Sequence, residues 1–120
     1  MQNESNCISL PQEENNLCLC PLEGIIDTIS KKWTLQIVAV VGNSKKLRYN
    51  EILAKLQGIS PKSLADRLKE LELEGLVKRK AFAEIPPRVE YSLTKEGQEL
   101  RRSIKPLMNW ASTRRHQYVP

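Results

Sequence analysis

Apolar residues recur at helical spacing in five stretches, interrupted once by a pair of short runs that alternate. Leu22, Ile25, Ile26 and Ile29 fall at i, i+3, i+4 and i+7, which predicts a first helix over 21–30 with Pro21 at its opening position. Trp33, Ile37, Val40 and Val41 form the main face of a second helix over 32–41. Leu35 and Val38 widen that face, so burial on more than one side is expected. Gly42-Asn43-Ser44 closes it, and Leu47 is placed as a single sheet residue. A third helix spans 49–56, with Ile52, Leu53 and Leu56 inward and Gly58 as its stop. Ser60 as N-cap and Pro61 at the first helical position open a fourth, whose inward stripe is Leu64, Leu68 and Leu71 and whose end is Gly75. The period then changes to two. Val89, Tyr91 and Leu93 alternate with Arg88, Glu90 and Ser92, a half-buried antiparallel strand, and 76–82 is its partner with weaker alternation. Glu84-Ile85-Pro86-Pro87 forms the tip. Thr94 caps a last helix to about residue 115, striped by Leu100, Ile104, Leu107 and Ala111, with Met108 and Trp110 beside the stripe and Pro106 inside.

Two helices joined by a Gly-containing turn, the second with polar outward residues, make a helix-turn-helix pattern, and the hairpin behind it adds a wing. The fold class expected is mainly α with a small β-hairpin wing (α+β). At 100° per residue, Lys62, Asp66 and Lys69 lie opposite the leucine stripe of the fourth helix, flanked by Ser63, Ala65 and Glu70. An α-helix fits the major groove of DNA, and its N-terminal half meets the base edges. Lys62 is a donor for guanine O6/N7, Asp66 an acceptor for cytosine N4, and Ala65 a contact for a thymine methyl. Ser60, Pro61 and the first-turn amides are placed on a phosphate. Arg48 at the start of the third helix, together with Lys69, Lys78, Lys80 and Arg88, is placed on phosphates or the minor groove. Arg67 projects nearer the leucine stripe, where pairing with Glu70 or Glu74 competes with contact to DNA. Trp33 is expected in the core.

Charge sharpens this reading. The net +5 hides a split: residues 1–30 hold five acids and no Lys or Arg, while the rest carries all 19 basic residues against nine acids. A basic body of this size favours a polyanion. The chain of 120 residues, 40% hydrophobic and 28% charged, has the composition of one soluble domain. Its longest apolar run, Ile37 to Val41, is far too short to cross a membrane, and its start has neither a basic region nor an apolar core of a secretory signal. A cytoplasmic location without membrane partners is expected, with a polar acidic tail over 1–19 and one domain over 20–120. No Gly-rich phosphate loop or paired-carboxylate site is visible, and His116 stands alone, so an enzyme is not expected. Neither a metal site nor any cofactor is expected. The competing reading is a winged helix that binds protein and has lost contact with DNA.

Two features bear on assembly and control. The stripe Leu100, Ile104, Leu107 and Ala111 needs a partner, and the first helix of a second copy, through Ile25, is the candidate. Two-fold symmetry then predicts a pseudo-palindromic site. Cys20 stands at a helix start, where the dipole favours thiolate, although Glu23 and the acidic tail oppose it. A redox- or electrophile-sensing thiol and a small structural cysteine both fit. Cys18 and Cys20, at i and i+2, suit an intersubunit bridge better than a local disulfide.

Three segments together narrow the family. Cys20-Pro21 leads toward Lys32-Trp33-Thr34; Ile59-Ser60-Pro61-Lys62 precedes Leu64, Arg67-Leu68, Leu71-Glu72 and Gly75-Leu76-Val77; Pro86-Pro87-Arg88-Val89-Glu90-Tyr91-Ser92-Leu93-Thr94 follows. In order and spacing, over about residues 20–110, these resemble the HxlR-type winged helix-turn-helix regulators, relatives of the MarR type. The resemblance implies a homodimeric transcription regulator, a repressor by family expectation, on double-stranded operator DNA, with the first and last helices forming the dimer. Some members sense oxidants through the cysteine ahead of the first helix. This chain departs from the family at Ser30-Lys31, where small or Gly residues are usual, and has no cysteine after Cys20.

Overall fold

The computed structural model describes residues 16–118. The predicted tail over 1–19 lies mostly outside them, as does Cys7. The chain divides into two compact units between Lys31 and Lys32. In the first, the single helix expected over 21–30 does not form. A 3-10 turn at Cys20–Leu22 gives way to extended backbone at Glu23, and a single helical turn, α1 (Ile26–Ile29), follows. Gly24 sits between them at φ +85°, a conformation that stops a helix and that glycine adopts without penalty. The apolar spacing was that of a helix; the glycine inside it decided otherwise.

The second unit begins at Lys32. Trp33, placed by its spacing within a helix, instead precedes α2 (Thr34–Gly42) with a left-handed backbone, φ +81°. Its half-buried ring lies beside the Gly58 turn, where a Cβ on Gly58 would meet Trp33 Cη2 at 3.7 Å. Next come β1 (Leu47–Arg48), α3 (Tyr49–Lys55) and α4 (Pro61–Leu73), then β2 (Val77–Phe82), β3 (Arg88–Leu93) and α5 (Lys95–Tyr118). Two residues, rather than Leu47 alone, join the sheet, whose order is β1-β3-β2, antiparallel throughout. β2 and β3 pair from Val77↔Leu93 at the root to Phe82↔Arg88 near the tip. Along β2 only Val77 is buried, because the hairpin leaves the core there and both of its faces meet water. That is why its alternation was weak in the sequence.

The core gathers Ile37, Val38 and Val41 of α2, Ile52 of α3, and Leu64, Leu68 and Leu71 of α4, with Leu47, Leu56, Ile59, Leu76, Val77 and Ile104 closing around them. Each such side chain, fully removed from water, contributes about 1.5–3 kcal/mol. α2 packs against both α5 and β3, as the wide apolar face of its sequence requires. Arg101 of α5 reaches over Gly42 to the end of α2: its Nε donates to Ala39 O at 3.4 Å and its Nη2 to Asn43 Oδ1. A guanidinium there satisfies terminal carbonyls and lies at the negative end of the helix dipole.

α4 and α5 are tied at the wing root. Thr94 Oγ1 donates to Gly75 O at 2.6 Å and accepts from Gly97 N at 3.0 Å, while Thr94 N donates to Leu76 O at 3.1 Å. Along α5 the predicted stripe divides. Ile104 is already buried within the chain (4% exposed) and Leu100 is half-buried, so Ile104 cannot serve as an open contact for a second copy without leaving its own core. Leu107, Met108, Trp110 and Ala111 remain exposed.

Candidate nucleic-acid interface

The outward side of the second unit is built on how α4 is held. Ser60 Oγ accepts from Ser63 N at 3.1 Å, the N-cap bond the sequence called for, and donates to Ser63 Oγ at 3.0 Å. Pro61 has no N–H and that of Ser63 is taken by the cap, so the first turn offers a phosphate fewer donors than the motif alone suggested. Ser60 is thus a cap before it is a ligand. Tyr49, opening α3, donates its hydroxyl to Pro61 O at 2.6 Å, which locks the start of α4 to the start of α3. Sequence reading passed over this bond. The two residues lie twelve positions apart, and nothing in periodicity signals such a pairing.

Lys62 and Asp66 do stand together on the open face, but joined: Lys62 Nζ donates to Asp66 Oδ2 at 3.1 Å, and both side chains reach water. An exposed i,i+4 pair contributes only about 0.3–0.5 kcal/mol, so little opposes its opening toward another partner. Ala65 and Lys69 are exposed beside it, and Ser63 is half-buried. The open question over Arg67 resolves toward Glu70: the two make a double contact at 2.9 and 3.2 Å with most of both side chains covered. Leu73 is 77% exposed.

Arg48 anchors α3 through its backbone, its N–H donating to Glu51 Oε1 at 2.7 Å, and the residue is exposed. In register it stands across from Glu90, which in turn stands across from Lys80. Lys78, Arg79 and Lys80 are exposed along β2. Arg88 is placed differently from the sequence expectation of a phosphate contact. Its guanidinium lies 3.9 Å from the centroid of Phe82, meets Glu84 at 3.1 Å and approaches Glu90 at 3.7 Å. With two carboxylates and a ring already engaged, it braces the wing. Lys46 reaches the same nearly covered Glu90 at 3.6 Å.

In the first unit, Ile25 is half-buried. Cys18 and Cys20 are both disulfide-bonded. Cys20 opens only a three-residue 3-10 turn, so the helix dipole expected to favour its thiolate is largely missing.

Comparison with known proteins bears on the whole arrangement. The HxlR-like helix-turn-helix family model matches residues 28–118, a span that starts after both of these cysteines. The HTH-type transcriptional regulator YvaP of Bacillus subtilis is 43% identical over 95 residues, covering 78% of this chain and 87% of its own. Among solved structures, a possible HxlR family transcriptional factor from Thermoplasma volcanium superposes with a TM-score of 0.77 at 31% identity, covering 89% of this chain and 95% of that one. The redox regulator HypR in its oxidised form superposes with a TM-score of 0.72 at 33% identity, covering 78% of this chain and 96% of that one. With a helix-turn-helix, a three-stranded wing and a family match over most of its length, the chain belongs to the HxlR-like helix-turn-helix family of transcription regulators.

Proposed function

We propose that the protein is a homodimeric repressor that binds double-stranded, pseudo-palindromic operator DNA in the cytoplasm. The observation that carries this reading is the open face of α4, where Lys62, Ala65, Asp66 and Lys69 project beside the exposed β2 cations. Lys62 and Asp66 read base edges in the major groove; Lys69, Arg48, Lys78 and Lys80 hold phosphates. The exposed outer half of α5, with Leu107, Met108, Trp110 and Ala111, supplies apolar surface for the second copy, together with Ile25. A gel-shift titration on duplex selected from a random pool is the test. Affinity should fall steeply as salt rises, because phosphate contacts release counterions. Salt-independent binding to a protein, with none to DNA, would instead establish the interaction-module reading.

Oxidant control belongs to the same proposal. Closing a disulfide converts two thiols to one S–S bond, passing two electrons and two protons to an oxidant, and Cys18 and Cys20 are both in that state here. The structural likeness to a redox regulator supports oxidant control, and Cys20 is the thiol we assign to it. Cys20→Ser should abolish any oxidant-induced change in operator affinity. An unchanged response would move sensing to Cys7 or Cys18, or away from thiols.

A further inference from the structure

The wing has a cationic shaft and a point where apolar side chains surround one ion-paired carboxylate. Arg88, at the base of the tip, is held by Phe82, Glu84 and Glu90. The same contact with Glu84 neutralises the one acid of the tip. Between Phe82 and Arg88, Ala83, Ile85, Pro86 and Pro87 are exposed together with the Arg88-paired Glu84, and Ile85 is as open to water as an isolated side chain. Behind this point, Lys78, Arg79 and Lys80 line β2, with Lys80 Nζ 5.1 Å from the centroid of Phe82.

We infer that Ile85 is a specificity-determining residue of the wing, an aliphatic wedge that enters the minor groove beside the α4 contact and presses into a single deformable base step. The inference rests on the operator-binding reading above. The choice of DNA over a protein groove follows from charge: the strand that carries the tip presents three cations, which suit the phosphates bordering a groove. A wing tip with a free arginine would seek the narrow, strongly negative groove of an A-tract. This tip has none, since Arg88 is engaged, so that attraction is absent. An aliphatic side chain also offers no hydrogen bond to base edges. It gains by contact with partly unstacked base faces, which is least unfavourable at pyrimidine–purine steps such as TpA. Pro86 and Pro87 restrict their own backbone torsions, so less freedom is lost when the tip docks.

The test uses the full chain and duplexes selected by it from a random pool. A single TpA step is moved through otherwise uniform A-tract flanks, with 2-aminopurine replacing the adenine of that step. At one flank position the wild-type chain should bind roughly tenfold tighter than to the unbroken A-tract, with a rise in 2-aminopurine fluorescence as the step unstacks. Ile85→Ala should lose both signals while holding its affinity for the A-tract duplex within about twofold, as expected where the tip adds nothing. Retention of the TpA preference or the fluorescence rise by Ile85→Ala would overturn the wedge, as would a wild-type chain indifferent to the flank. Those results leave operator binding standing. A wild-type chain that shifts no duplex overturns both readings together.

Discussion

Gly97→Ala should destabilise the protein by about 3 kcal/mol, toward the upper end for overpacking, and lower its melting temperature by on the order of 10 °C or more. A Cβ at position 97 would fall on the carbonyl oxygen of Leu76 and lie 3.1 Å from its carbonyl carbon, with Leu93 Cβ at 3.3 Å. Backbone cannot swing aside as a flexible side chain can. Relief requires α5 to lift away from the wing root, which strains the bonds of Thr94 to Gly75 and Leu76. Urea unfolding followed by circular dichroism measures the loss. Gly75→Ala is a useful contrast: a Cβ there meets nothing, and its cost comes only from a φ of +78°. Equal midpoints for the two variants would show that contact at Gly97 is not the controlling factor.

Lys62→Ala should weaken operator binding by about 1–3 kcal/mol, or roughly 5- to 150-fold, and weaken non-specific binding far less. The ion pair with Asp66 makes the complementary variant informative. In the free protein Asp66 holds Lys62 and sets a negative charge in the face proposed to meet DNA. Asp66→Asn removes that repulsion, so non-specific affinity should rise while the preference for operator falls. A double-mutant cycle on operator and non-operator duplexes separates the intramolecular pair from contacts to bases. If Lys62→Ala reduces binding to both duplexes equally, Lys62 touches only phosphate.

What could be read from the sequence were features with a local cause. Ser60-Pro61 opened α4 where expected, the leucine stripe of that helix is buried, and β3 runs over the residues its alternation marked. Features set by distant partners were not legible. The hydroxyl of Tyr49 finds Pro61, and Arg101 finds Asn43 across 58 positions, through packing that no periodicity encodes. Arg88 looked like a free cation because its partners are spread over Phe82, Glu84 and Glu90. Ile104 looked like an interface residue because one apolar stripe serves two purposes, its own core first and an exposed surface further along α5. At Gly24 the cause is local, a φ of +85° that ends the turn, but apolar spacing at helical intervals continues across it and masks the break.

The bonds at the wing root have a mechanical consequence. Thr94 joins the residue after β3 to Gly75 and Leu76 just before β2, so the hairpin is a closed loop fastened at its base. A closed loop cannot pivot about either strand separately. It behaves as a cantilever, stiff at Val77 and Leu93 and most compliant beyond Phe82. Amide protons at the base should therefore exchange with solvent much more slowly than those of Ala83 to Ile85, and the reach of the tip is governed by hairpin twist alone.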